Sequence, residues 1–145
     1  MKHLVIAALL LTTTLPVAAR DDRLMFPLQD ALNAPEAKSR LDPGIALFFG
    51  KQGHPKVGKT HGEWGTNKKT NAFGKSDKTA CEWAFLSAAL ELQERARKEG
   101  GNAVINIQSN YKSVTTSSET EYMCGAGGLM AGVAFKGTVV TLHGK

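Results

Sequence analysis

Apolar and polar positions divide this chain into blocks of different period. Leu4 to Leu11 is an unbroken apolar run, preceded by Lys2 and His3 and closed by Thr12, Thr13 and Thr14. A bilayer span takes about 20 apolar residues, so the run is too short for one. With the small residues Val17 and Ala19 behind it, the run has the anatomy of a cleavable export signal. The expectation is cleavage after Ala19, leaving residues 20–145 as one soluble domain, with no later stretch apolar enough to cross a membrane.

Within residues 20–145 the pattern alternates between strand and helix periods. Leu24 to Leu28 reads as a short edge strand, because Pro27 has no N–H to give to a ladder. Leu28, Ala31, Leu32, Ala37 and Leu41 mark a short helical stretch interrupted by Pro35. Asp42-Pro43-Gly44 is a turn, and Ile45 to Phe49 a buried strand. A strand is expected near Val57 to Trp64, followed by an ordered polar loop over residues 66–74. The strongest helix follows. Cys81, Phe85, Ala88, Ala89, Leu92 and Ala96 share one face. Thr79 and Glu82 have capping-box spacing, with Ser76 or Asp77 as a second possible cap. Glu91 with Arg95, and Glu94 with Lys98, stand four apart. Gly100-Gly101 ends the helix. Asn102 to Ile107 is a strand, a second strand is expected within Tyr111 to Tyr122, Met123 to Gly128 reads as a glycine-rich bend, and Val133 to Leu142 closes the sheet. This order predicts an α+β fold: one antiparallel sheet with a single long helix packed on one face.

The export signal decides how the cysteines are read. Two cysteines, Cys81 and Cys124, in an oxidising compartment read as one disulfide. Cys81 falls on the inner face near the helix start, where a bond to a packed strand is expected.

Charge is distributed unevenly. Lys51 to Lys78 holds seven lysines and two acids, whereas the rest of residues 20–145 carries ten basic and eleven acidic side chains. A stretch of this kind attracts anions such as lipid headgroups, cell-wall polymers, nucleic acid or an acidic protein; its plainer reading is a solvated loop. If residues 50–74 fold back as a hairpin with a returning loop, Lys56, Lys59, Lys68 and Lys69 fall on one face with Trp64, Asn67 and Asn71. These seven are the candidate binding residues, with Arg95 and Arg97 on the helix as a reference pair outside that surface. Phe73, Trp83 and Tyr111 read as core; Trp64, beside the lysines, reads as core or ligand platform.

Catalytic patterns are weak. Gly53 to Thr60 matches the phosphate-loop pattern G-x-x-x-x-G-K-[ST]. However, Pro55 removes an N–H, and the glycines at 62 and 65 oppose the helix that must begin at the lysine. Neither nucleotide nor other cofactor is expected. His54 and His61 among lysines make a poor metal site. No serine stands in a nucleophile elbow, and with both cysteines assigned to the disulfide no catalytic residue is assigned.

Two stretches carry a resemblance: residues 66–77 leading into Cys81-Glu82-Trp83-Ala84-Phe85-Leu86, and residues 96–107, Ala-Arg-Lys-Glu-Gly-Gly-Asn-Ala-Val-Ile-Asn-Ile. With Cys124 and Gly137-Thr138-Val139, they resemble small secreted bacterial proteins often labelled "excinuclease ATPase subunit". More distantly, the helix followed by Gly-Gly-Asn-Ala-Val-Ile is similar to the YbjQ family of small α+β proteins. The spacing of Cys, Asn-Ala-Val and Cys resembles the outer-membrane stress-sensor lipoprotein of the Rcs pathway. The last is lipidated and has two disulfides, whereas this chain has no lipidation motif and one cysteine pair. With the export signal and the basic stretch from Lys51 to Lys78, the expectation is a periplasmic or secreted, non-enzymatic binding or envelope-stress sensing module with an anionic envelope component or envelope protein as partner. The alternatives are a structural or oligomeric envelope protein and a hydrolase of unrecognised type.

Overall fold

The computed structural model describes residues 20–143; the expected export signal lies outside them. Ten elements follow in order: β1 (Asp22–Pro27), α1 (Leu28–Asn33), α2 (Pro35–Arg40), β2 (Ala46–Phe49), β3 (Val57–Asn71), α3 (Asp77–Glu99), β4 (Ala103–Tyr111), β5 (Val114–Thr116), β6 (Glu121–Ala126) and β7 (Met130–Leu142). The fold is α+β, with a seven-stranded sheet and one long helix.

β7 is the hub of the sheet. β3 pairs with it antiparallel along its whole length, from Val57 opposite Leu142 to Asn71 opposite Met130. The other side of β7 is shared by β4 and β6. β1 extends the sheet beyond β6, and β2 extends it beyond β4.

Three expectations are corrected. The sheet is mixed, because β2 runs parallel to β4; the link over residues 50–56 is therefore a crossover, and it packs the His54 ring against Phe48 at 5.6 Å. Residues 66–71 are not a loop but the second half of β3. Met123 to Ala126 is strand, paired with β1, and the bend is confined to the Gly127–Met130 turn.

α3 is set by local chemistry. Ser76 is its N-cap, accepting the Thr79 N–H at 3.1 Å and satisfying one of the free donors of the first turn. At the other end Gly100 takes a left-handed φ of +78°, which a side chain disfavours, and the Gly101 N–H closes on the Ala96 carbonyl at 2.8 Å. All six apolar positions assigned to its inner face are buried. There Phe85 meets Phe49, Tyr122 and Phe135, joining the helix to β2, β6 and β7. The Cys81–Cys124 disulfide ties the start of α3 to β6, with both residues fully buried. Gln93, buried on the same helix, accepts the Asp42 N–H and donates to the carbonyls of Asp42 and Ile45, all at 2.9 Å. It fixes the predicted turn to the helix with its polar atoms satisfied.

On the opposite face of the sheet, Tyr111 lies across Gly125 and Gly132; a side chain at 125 would collide with its ring. Tyr111 is held there by its hydroxyl, which donates to Asp21 at 2.8 Å, and by Arg23 and Lys112 against the ring.

Candidate binding groove

β3, at 15 residues, is too long to gather the candidate lysines. At about 3.3 Å per residue, Lys59 and Lys68 stand about 30 Å apart along the strand. Lys56 and Lys59 are exposed at its start, beside the end of β7. Alternation then divides the rest. Trp64, Thr66, Lys68 and Thr70 turn toward α3: Thr66 donates to Glu91 at 2.6 Å, and Thr70 to the Ala80 carbonyl at 3.0 Å. Asn67 and Lys69 turn to the other face, Asn67 toward Asn110 and Lys112, and Lys69 beside Gly132. Asn71 closes the strand, its side chain accepting the Phe73 N–H at 2.9 Å. The single basic face expected from a hairpin is therefore replaced by three separate settings.

One of these is a groove. The α3-facing side of β3 and the outer stripe of α3 enclose a cleft of about 410 Å³ lined by Arg40, Lys68, Glu91, Glu94, Arg95 and Lys98, with Lys69 at its rim. Positions 87, 91, 94, 95 and 98 share one helix face because they step by three or four. The reference cation Arg95 thus belongs to the basic surface instead of standing outside it. Its guanidinium lies 5.6 Å from the centre of the Trp64 ring and pairs with Glu99 at 3.3 Å. Glu91 pairs not with Arg95, as helical spacing suggested, but with Lys68 across the groove at 2.8 Å. Glu94 and Lys98 do pair, at 3.2 Å. Among the described residues, Arg40 and Lys69 have no carboxylate within ion-pair distance.

Glu91 fixes the floor. Partial burial pushes its carboxyl pKa up, but the hydrogen bonds from Lys68 and Thr66 outweigh that and hold it below the ordinary glutamate value of 4.5. Its contribution to stability is therefore fully present above pH 4.5 and is lost as the pH falls through the depressed folded value. Because the pair is largely solvated, the effect is a few tenths of a kcal/mol. The stability difference between the protein and Glu91→Gln is expected to shrink below pH 4.5; a difference flat from about pH 3 to 7 would count against the interlock.

The phosphate-loop match has no loop geometry, since Lys59 and Thr60 lie inside β3 where a helix would have to start. His54 and His61 are held by different partners: His54 at the Pro55 carbonyl, and His61 at the Thr141 hydroxyl, 2.8 Å away. Among the described residues no three His, Cys, Asp or Glu side chains converge as a metal site would need. Sequence reasoning missed Arg40, Arg95 and Lys98; the signal for the helix pair was their shared stripe with Glu91 and Glu94, read only as surface charge.

Comparison with protein-family models, curated proteins and solved structures finds no match for the chain.

Proposed function

We propose that this protein is a non-enzymatic binding or sensing module of the cell envelope, and that it takes an anionic partner in the groove between α3 and β3. The observation that carries the reading is the convergence of cations from three elements: Arg40 at the end of α2, Lys68 on β3, and Arg95 and Lys98 on α3. The two acids that line the groove, Glu91 and Glu94, are engaged by Lys68 and Lys98, and Arg95 engages Glu99 beside it. An incoming phosphate or carboxylate can exchange for those exposed pairs, which are worth little in water. Export is supported by the residue 1–19 pattern and by the disulfide, and the resemblance to secreted bacterial proteins points the same way. The oligomeric alternative is disfavoured because the free edge of β3 carries lysines and two register shifts, features that discourage edge-to-edge pairing.

The test is titration with inositol hexakisphosphate and with poly-glutamate. Binding is expected to weaken steeply with salt, since screening acts over about 8 Å at physiological ionic strength. Arg95→Gln with Lys98→Gln is expected to weaken it about tenfold or more, and Lys56→Gln with Lys59→Gln to leave it within about twofold. Equal loss from both pairs, or no binding at low salt, would sink the reading.

A further inference from the structure

Five large apolar side chains are exposed among the described residues, and three of them, Phe73, Leu129 and Met130, stand together at one end of the sheet. Phe73 is 72% exposed, Leu129 68% and Met130 48%. Single exposed apolar residues are ordinary, whereas a cluster marks an interaction surface.

The local chemistry shows that the cluster is built. Phe73 sits in the Ala72–Lys75 turn, closed by the Lys75 N–H on the Ala72 carbonyl at 3.1 Å. Gly74 supplies the φ of +71° that this turn requires. Asn71 accepts the Phe73 N–H, and the Lys75 ammonium returns to the Asn71 carbonyl at 2.9 Å. Leu129 sits in the Gly127–Met130 turn, closed by the Gly127 N–H on the Met130 carbonyl at 2.9 Å. A hydrogen bond from the Ala72 N–H to the Leu129 carbonyl, 2.8 Å, locks the two turns into one unit. A side chain at Gly74 or Gly128 would meet nothing within 4 Å, so the tip is convex and open on its flanks.

From this we infer that the paired turns form a membrane-seating tip, in which Phe73, Leu129 and Met130 enter the interface of an anionic lipid bilayer. The inference does not rest on the groove, which lies on the α3 side of β3 and shares only Lys69 with the tip. Two observations select lipid over a protein occupant. The apolar groups crown a tip that is open at Gly74 and Gly128, and a fluid bilayer needs no complementary pocket. The collar is cationic: Lys75 lies at the base of the Phe73 turn, and Lys69 lies beside Gly132, next to the Met130 end of β7. Neither has a carboxylate within ion-pair distance among the described residues. No acid occurs from residue 71 to 76 or from 126 to 136, and the acids the fold brings near, Asp21, Asp22 and Asp77, are engaged by Lys112 and Arg20. Apolar insertion with cations at headgroup level is the pattern of interfacial anchoring. The turns are already fixed by their own hydrogen bonds, so little ordering entropy opposes insertion.

The experiment is co-sedimentation of the purified protein with vesicles of phosphatidylethanolamine and phosphatidylglycerol, and with vesicles of phosphatidylcholine alone. Binding to the anionic vesicles is expected, weakened about tenfold or more in Phe73→Ser with Leu129→Ser, which keeps every charge. Arg95→Gln with Lys98→Gln separates the tip from the groove: vesicle binding lost in that pair but kept in the double serine variant would assign it to the groove and overturn the inference. A Leu129→Trp variant reports the tip directly, through quenching of the introduced indole by brominated phosphatidylglycerol. Several results would overturn the inference: no vesicle binding, equal binding to phosphatidylcholine, undiminished binding by the double serine variant, or no added quenching in Leu129→Trp. A self-association abolished by the serine substitutions would also overturn it, by making a second copy the occupant.

Discussion

Phe85→Ala is expected to destabilise the protein by about 3–5 kcal/mol, the range for deleting a large aromatic side chain from a packed core. Phe85 is fully buried, and its ring centre lies 4.7 Å from that of Tyr122, 5.7 Å from that of Phe135 and 5.9 Å from that of Phe49. Phe49 and Phe135 also meet edge to face at 5.6 Å. Truncation thus removes the ring that joins the other three, one from each of three strands, and leaves a cavity that rigid sheet backbone cannot close. Each lost aromatic pair adds to the area term. Native domains are stable by about 5–15 kcal/mol, so the variant is expected to be largely unfolded at moderate urea. Urea titration followed by tryptophan emission measures this. Phe85→Leu should recover at least half of the loss, and Phe73→Ala, at the exposed tip, should cost less than about 0.5 kcal/mol. A loss below about 1 kcal/mol for Phe85→Ala would mean that the helix is not held to the sheet through this ring.

The second large effect is expected from the disulfide. Its two cysteines are 43 residues apart, with Cα atoms 5.9 Å apart. In the chain-entropy description, closing a loop of that length restricts the unfolded chain by about 4 kcal/mol. Cys81→Ala with Cys124→Ala is expected to lose about that much, with the same folded spectrum at low denaturant. Both sulfurs are buried, so the folded protein should resist a mild thiol reductant. Reduction should become fast only near the unfolding midpoint, and thiol counting during a urea series separates the two regimes. Rapid reduction of the native protein, or a double alanine variant of equal stability, would contradict the assignment.

What was legible in the sequence is what burial dictates. The inner face of α3 and strands β2, β4 and β7 declare themselves through apolar spacing, and the disulfide follows from Cys81 lying on that face. β3 beyond Trp64 was hidden because its α3-facing positions are Thr66, Lys68 and Thr70. They meet the helix through hydrogen bonds and an ion pair, so no apolar alternation marks the strand. β6 was hidden by Gly125, whose lack of a side chain serves Tyr111 crossing the sheet and signals no bend. The parallel direction of β2 has no local signature at all, being set by the crossover over residues 50–56. Phe73 reads as core by residue type and is exposed because the Asn71 cap and Gly74 turn it outward. The groove was only half visible: a lysine-rich stretch can be seen in a sequence, but the helix cations that complete it come from a segment whose charges look like ordinary solvated ones.

The position of β7 has a consequence for how the chain can fold. β1, at the start of the described residues, waits for Glu121–Ala126, and β3, β4 and β6 all wait for Met130–Leu142. A chain delivered N-terminus first therefore holds α3 and strands β3, β4 and β6 without β7, their shared partner, until that segment emerges. Pairings this distant in sequence are slow to close. Until the last 13 residues of the sheet arrive, the apolar face of α3 and the edges of the waiting strands stay open to any chaperone, or to another copy, that reaches them first.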